Sequence, residues 1–279
     1  MLEIKNCTFN YKRRGEPTIK DFSMKLYESG VYGLLGSNGA GKTTLLQLMC
    51  GLLTPVSGEI TFNGVNTRRR LPSIQSEMIL VPEEIELPPI KLEEFIKING
   101  ALYPRFSKEE MMRHMEIFGI TGDIRLDSLS MGQKKKVYLA FAMACNTKVL
   151  LMDEPTNGLD IPAKSAFRKF IIESINDQRI FVISTHQVRD VSQILDHVMI
   201  MDNSKVLLNQ TVADILRRIK FTDTADKELI DNAIYAVRGL GGASVILPNM
   251  DDDDSELNLE LLFDFAVGEP ERLNSLFEK

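Results

Sequence analysis

A chain of 279 residues, 44% hydrophobic and 26% charged, has room for one large α/β domain and a small appendage. Its net charge of −6 argues against a general nucleic-acid binder. No uninterrupted apolar run approaches the ~20 residues that span a bilayer, so a role at a membrane would be exercised from outside it.

Residues 2–11 alternate like an exposed strand, and no apolar core follows the first charges as it would in a signal peptide. Tyr11 can either stack on an adenine ring or cover the sheet edge; spacing alone favours the edge. Residues 12–17 read as a turn, residues 19–27 alternate again, and 28–30 turn into a buried strand over 31–35. Gly36-Ser37-Asn38-Gly39-Ala40-Gly41-Lys42-Thr43-Thr44 follows, in the pattern G-x-x-x-x-G-K-[ST]. Small residues let successive backbone N–H groups turn inward around an anion. Lys42 can place a charge on β- and γ-phosphates, and the Thr43 hydroxyl can ligate Mg²⁺. The helix expected from Thr43 onward aims its positive end at the same point.

A loop over 51–58, a short strand at 59–62, the basic cluster Arg68-Arg69-Arg70 in a solvated loop, and a buried strand over 78–81 come next. Pro82 stops that strand, and Glu83 and Glu84 follow it. Residues 92–144 read as helices, with Ser107 and Ser130 as N-caps and Lys134-Lys135-Lys136 as a wet helix face. An apolar strand over 149–152 ends at Asp153 and Glu154, and another over 180–184 ends at Thr185 and His186. An amphipathic helix over 163–175 lies between them. Residues 188–195 read as helical, and 198–201 and 206–208 as a hairpin around Asp202-Asn203-Ser204-Lys205. Such alternation implies a mostly parallel sheet covered on both faces, with ligands beyond the strands' carboxyl ends.

Fourteen acidic and four basic side chains fall from Phe221 onward, which leaves the first 220 residues slightly basic and supports a boundary near Lys220. In this tail residues 233–237, 244–247 and 257–265 read as strands and 269–278 as a short helix. Asp251 to Asp254 lack the glycine and distal glutamate of a calcium loop and read as solvated. Cys7, Cys50 and Cys145 match no metal or redox spacing and read as packed thiols in a reducing cytosol.

An acidic strand end is the natural partner of a phosphate loop. Asp153 would hold Mg²⁺, and Glu154, one residue further out, could deprotonate a water in line with the γ-phosphate. His186 ends the next strand, where its imidazole could reach the same phosphate.

The phosphate loop GSNGAGKTT, LSMGQKKK from Leu129, VLLMDEPTNGLD from Val149 and STH ending at His186 together resemble the ATP-binding cassette of ABC transporters, over about residues 2–210. The resemblance implies a P-loop NTPase core with a mostly parallel sheet, an antiparallel β subdomain and a helical subdomain insertion at about 88–147. A small α+β appendage would follow at 221–279. It puts Tyr11 on adenine and Glu83 where the family carries a magnesium-linked glutamine. It makes Ser130, Gly132 and Gln133 the signature that binds the γ-phosphate held by another subunit, and Gly158-Leu159-Asp160 a loop facing that subunit. Met131 replaces a glycine of the usual LSGGQ and would cost on the order of 1 kcal/mol or more if the position needs positive φ. A carboxylate at Glu83 adds charge beside the phosphates.

The implied activity is ATP hydrolysis by a head-to-tail dimer, with an identical partner, driving a separate transmembrane permease of the drug-exporter type. The implied location is the cytoplasmic face of the cell membrane. Two rivals follow from the same loop. A soluble cassette acting on ribosomes or nucleic acid would normally carry two cassettes or a coiled-coil insertion, and neither is in the sequence. An unrelated P-loop kinase would have no use for Ser130 or Gly132.

Overall fold

A computed structural model describes residues 1–12, 16–26, 29–250 and 253–277. Arg13 to Gly15 of the first turn, Tyr27 at the end of the second strand reading, Glu28 of the turn after it, Asp251 and Asp252 of the acidic run, and Glu278 at the end of the last helix reading lie outside these residues.

Strand β1 (Leu2–Phe9) pairs antiparallel with β2 (Ile19–Leu26). The buried β3 (Gly30–Gly36) leads through the phosphate loop into α1 (Lys42–Met49). Strands β4 (Ser57–Phe62) and β5 (Val65–Asn66) complete an antiparallel sheet ordered β2-β1-β4-β5. A short α2 (Pro72–Gln75), with proline at its first position, precedes β6 (Met78–Val81). Arg70 is more than a solvated charge: its guanidinium donates to the carbonyls of Gly51 (2.6 Å) and Leu52 (2.8 Å).

The helical segment is α3 (Leu92–Gly100), α4 (Lys108–Ile117) and α5 (Met131–Ala144). Ser107 caps α4, and Ser130 caps α5 in a reciprocal box with Gln133. Then come β7 (Val149–Asp153), α6 (Ile161–Ser174) and β8 (Ile180–Thr185). Residues 188–195 form two 3-10 turns, Val188–Asp190 and Ser192–Ile194, where one helix was predicted. The hairpin of β9 (His197–Asp202) and β10 (Lys205–Thr211) turns at Asn203 and Ser204, both at positive φ (45° and 64°). The central sheet runs β10-β9-β3-β8-β7-β6 and is parallel except at β10.

Period-two alternation divides this sheet's side chains between two cores. Tyr32, Leu34, Leu151 and Met199 pack with α1 and the antiparallel sheet. Val31, Leu35, Leu150 and Met152 pack with the helices on the other side. The three cysteines are buried and free, in line with the sequence reading.

After α7 (Val212–Arg218), β11 (Ile219–Thr224), α8 (Lys227–Asp231), β12 (Tyr235–Gly239) and β13 (Gly242–Pro248) include a third, antiparallel sheet ordered β11-β13-β12. The chain closes with α9 (Leu259–Gly268) and α10 (Pro270–Phe277). The strand predicted over 257–265 is therefore a helix. Asn258 caps it by accepting from Leu261 N (3.0 Å), and the buried Leu262, Phe265 and Ala266 recur at helical spacing. Asp253, from the acidic run, pairs with Lys220 at 2.5 Å.

Candidate nucleotide site

The site begins where β3 runs out. A Cβ on Gly36 would stand 2.6 Å from the carbonyl oxygen of Met201, so only glycine lets the loop pass β9 this closely. Gly41, the N-cap of α1, has φ of 101°, a left-handed conformation that glycine adopts freely. Lys42 is buried, and its Nζ donates to the carbonyls of Gly36 (2.8 Å) and Ser37 (3.2 Å). Burial lowers its pKa below the usual lysine value, and the charges of Glu154, Asp153 and Glu83 oppose that shift. The Ser37 hydroxyl donates to Asp202 at 2.8 Å, fixing the loop's outer shoulder.

The predicted acidic partner is in place. Thr43 Oγ1 donates to Asp153 Oδ2 at 2.6 Å, and Ser184 donates to the other oxygen of the same carboxylate. Glu154 is 5% exposed and left-handed (φ 44°), a conformation that costs a non-glycine residue about 1 kcal/mol or more. Its surroundings hold it there. Its N–H donates to the Ser184 carbonyl (3.0 Å), and its carboxylate accepts from Thr185 Oγ1 (3.0 Å) and His186 N (3.0 Å). His186 Nδ1 lies 2.8 Å from Glu154 Oε1, within hydrogen-bond distance.

These groups open onto a cavity of about 370 Å³ lined by Tyr11, Thr18, Asn38, Gly39, Gly41, Lys42, Thr43, Thr44, Glu83, Asp153 and Glu154. The size falls in the range of small-ligand pockets. Tyr11 stands exposed at the mouth, its hydroxyl 3.1 Å from Thr44 Oγ1 and its ring edge-on to Phe9. Gly36, Ser37 and Ala40 build the loop without lining this cavity. His186 reaches it through Glu154 and itself lines a separate space of about 300 Å³ with Ser37, Glu260, Phe263 and Asp264.

Ser130, Gly132 and Gln133 are not brought to the chain's own cavity. They open α5, and a Cβ on Gly132 would lie 3.3 Å from the carbonyl of Gly158, so the signature and the Gly158-Leu159-Asp160 loop touch. Met131 is the first residue of α5 and has no positive φ, so the strain allowed for in the sequence does not arise. Its side chain is 79% exposed.

Two further positions escaped the sequence reading. Lys135, expected on a wet face, is 5% exposed, and its Nζ donates to the carbonyls of Glu154 (2.8 Å) and Asn157 (3.0 Å). Asn157 Nδ2 in turn donates to Glu83 Oε1 at 3.1 Å. The signal was available: three consecutive helical lysines point about 100° apart, so a helix packed on one side cannot leave all three in water.

The family model for ABC transporters matches residues 19–157. Over 251 residues the chain is 31% identical to the energy-coupling factor transporter ATP-binding protein EcfA of Methanosphaera stadtmanae, covering 86% of this chain and 87% of that protein. It is 30% identical over 216 residues to the ABC transporter ATP-binding protein NatA of Bacillus subtilis, covering 74% and 88%. A solved structure of the ATP-binding subunit of an ABC transporter superposes with a TM-score of 0.70 at 25% identity, over 78% of this chain and 92% of the other. With the phosphate loop, the acidic strand end and the capped signature helix in these positions, the chain belongs to the ABC transporter family as an ATP-binding, ATP-hydrolysing cassette.

Proposed function

We propose that this cassette works as a head-to-tail dimer, each nucleotide being held between one subunit's phosphate loop and the other's signature. The observation that carries the reading is the separation of the two halves of the site. Ser130, Gly132 and Gln133 sit at an exposed helix start away from the chain's own cavity, and Met131 (79%) within the signature and Ile161 (84%) next to the Gly158-Leu159-Asp160 loop leave large apolar side chains in water. Exposed apolar groups beside a polar, precapped helix terminus suit a partner surface.

Within each site Lys42 and the loop amides would hold the β- and γ-phosphates, with Tyr11 against the adenine. The oxygen donors Thr43, Asp153 and Glu83 fit Mg²⁺, which takes few protein ligands and keeps several waters. Bound there, the ion neutralises charge on the phosphates. Glu154 accepts a proton from the water whose oxygen bonds to the γ-phosphorus as the bridging P–O bond to ADP breaks. His186 would hold that carboxylate on line through the 2.8 Å contact of its Nδ1.

Among the described residues no helix is long and apolar enough to cross a membrane. We place the cassette on the cytoplasmic face of the cell membrane, with the transmembrane pore in a separate polypeptide. A groove of about 460 Å³ lined by Leu52, Arg70, Leu80, Leu102, Tyr103 and Tyr138, among others, joins the core to the helical segment and suits an inserted cytoplasmic segment of that permease. The sequence pointed to export, but one relative is a methionine import ATP-binding protein, 32% identical over 232 residues, so the proposal carries no direction.

The test is Glu154→Gln. We expect it to bind ATP, accumulate as a dimer and lose turnover by about 100-fold or more. Hydrolysis at the wild-type rate would remove Glu154 as base, and an ATP-bound monomer would remove the composite site. Copurification with RNA or DNA in place of a membrane protein would favour the soluble-cassette rival.

A further inference from the structure

Lys135 is buried, carries an ammonium group, and has no part in the chemistry above. A charge of this kind is costly to bury unless something holds it. Here two carbonyls hold it, those of Glu154 at 2.8 Å and Asn157 at 3.0 Å. Glu83, Glu154 and Asp153 supply the surrounding negative charge, Glu83 most of all. Asn157 closes the circuit by donating its side-chain amide to Glu83. One side chain of the signature helix thus clasps the backbone on both sides of Pro155, immediately after the left-handed Glu154.

That position has a mechanical meaning. The Glu154 carbonyl leads into a proline, whose ring fixes φ and leaves no N–H to anchor the peptide from the other side. Whatever grips that carbonyl sets the peptide plane, and with it the direction in which the Glu154 side chain leaves its Cα. The grip comes from α5, four residues beyond Met131, so a shift of the α5 terminus moves the clasp along with it.

We infer that Lys135 is a positioning residue, through which the placement of the signature helix aims the Glu154 carboxylate and holds the loop at Asn157. The inference rests on the proposed role of Glu154 as base. It explains why the middle lysine of the run is buried while the signature itself faces outward.

The test is Lys135→Met, which keeps the buried stem and removes the donors, made in the wild-type and in the Glu154→Gln background. The expected result in the wild type is a kcat lower by on the order of 10- to 100-fold with the KM for ATP changed less than about twofold, because misaiming a catalytic group costs rate and not nucleotide affinity. In Glu154→Gln the same substitution should change the residual rate less than about twofold, because the group it aims is already gone. Lys135→Arg, which can donate to both carbonyls, should recover most of the rate. An unchanged kcat, or an equal fall in both backgrounds, would reduce Lys135 to a structural staple. If Lys135→Met does not fold, Lys135→Gln, which lacks the charge and the reach to grip both carbonyls, carries the test: its kcat should fall in the wild type and not in the Glu154→Gln background, and an unchanged kcat in the wild type overturns the inference. If Glu154→Gln itself turns over normally, the fault lies in the assignment of the base.

Discussion

His114 is a buried imidazole, its ring 4.4 Å from that of Phe170 and tilted by 43° against it, and its Nδ1 has no hydrogen-bond partner among the described residues. Burial lowers its pKa below the usual histidine value; the Arg113 charge adds to this, while Glu110, the Ala140 backbone and Glu173 oppose it. The unfolded chain therefore takes up a proton here more readily than the folded one. The stabilising effect is complete above about pH 6.5 and is lost as pH falls from there toward the folded-state value. We expect the thermal midpoint to drop between pH 7.5 and 5.5, and His114→Phe, a near-isosteric swap costing less than about 1.5 kcal/mol, to flatten that dependence. An equally steep profile in the variant would assign the acid sensitivity to other groups. That Lys42, Thr43, Asp153 and Glu154 meet around one cavity was legible in the sequence, because their positions at a strand end or loop are what spacing reports. That one of Lys134, Lys135 and Lys136 is buried was legible too, but which one depends on the way one turn of α5 faces, and a run of three identical side chains hides that.

At the scale of elements, α5 shows how local chemistry settles an apparent conflict. Gln133 N donates to Ser130 Oγ at 3.3 Å, and Ser130 N donates to Gln133 Oε1 at 3.0 Å, so the helix start is fixed by its caps and Met131 simply occupies the first helical position. Glycine there would loosen the helix by about 1 kcal/mol relative to a good helix former and would relieve no strain. We expect Met131→Gly to lower stability in urea by up to about that amount; a rise would mean that methionine is strained after all. The parallel strands, the β9–β10 hairpin and the caps at Ser107 and Ser130 could be read ahead because periodicity and turn residues agree. Residues 257–265 could not, because a short apolar run fits strand or helix alike until Asn258 caps it. The 3-10 turns after His186 fall below the length at which helical period is measurable.

For the molecule as a whole, the tail after Lys220 is tied to the cassette by its packing. Leu262, Phe265, Ala266 and Leu273 belong to the same core as Val31, Leu35 and Ile200 of the central sheet. Each fully buried Leu or Phe side chain is worth about 2 kcal/mol, comparable in sum to the whole stability of a domain. A chain ending at Lys220 would leave that apolar floor in water. We expect residues 1–220 alone to aggregate or to melt well below the full chain; a monodisperse, fully stable fragment would show that the cassette closes its own core. The charge shift near Lys220 was visible in the sequence. The shared core was not, because composition reports what a segment is made of and not what it lies against.

The clasp between the two regions bears on heredity. Arg189 donates through Nε and Nη2 to the two carboxylate oxygens of Glu260, at 2.8 Å each, beside the space that His186 lines. A genetic crossover anywhere between these two codons would join one lineage's arginine to another lineage's residue 260, over a floor shaped for neither. The ion pair is largely solvated and adds little alone, so the shared apolar floor is what a hybrid would have to match, and the tail and the residues around His186 would be passed on together.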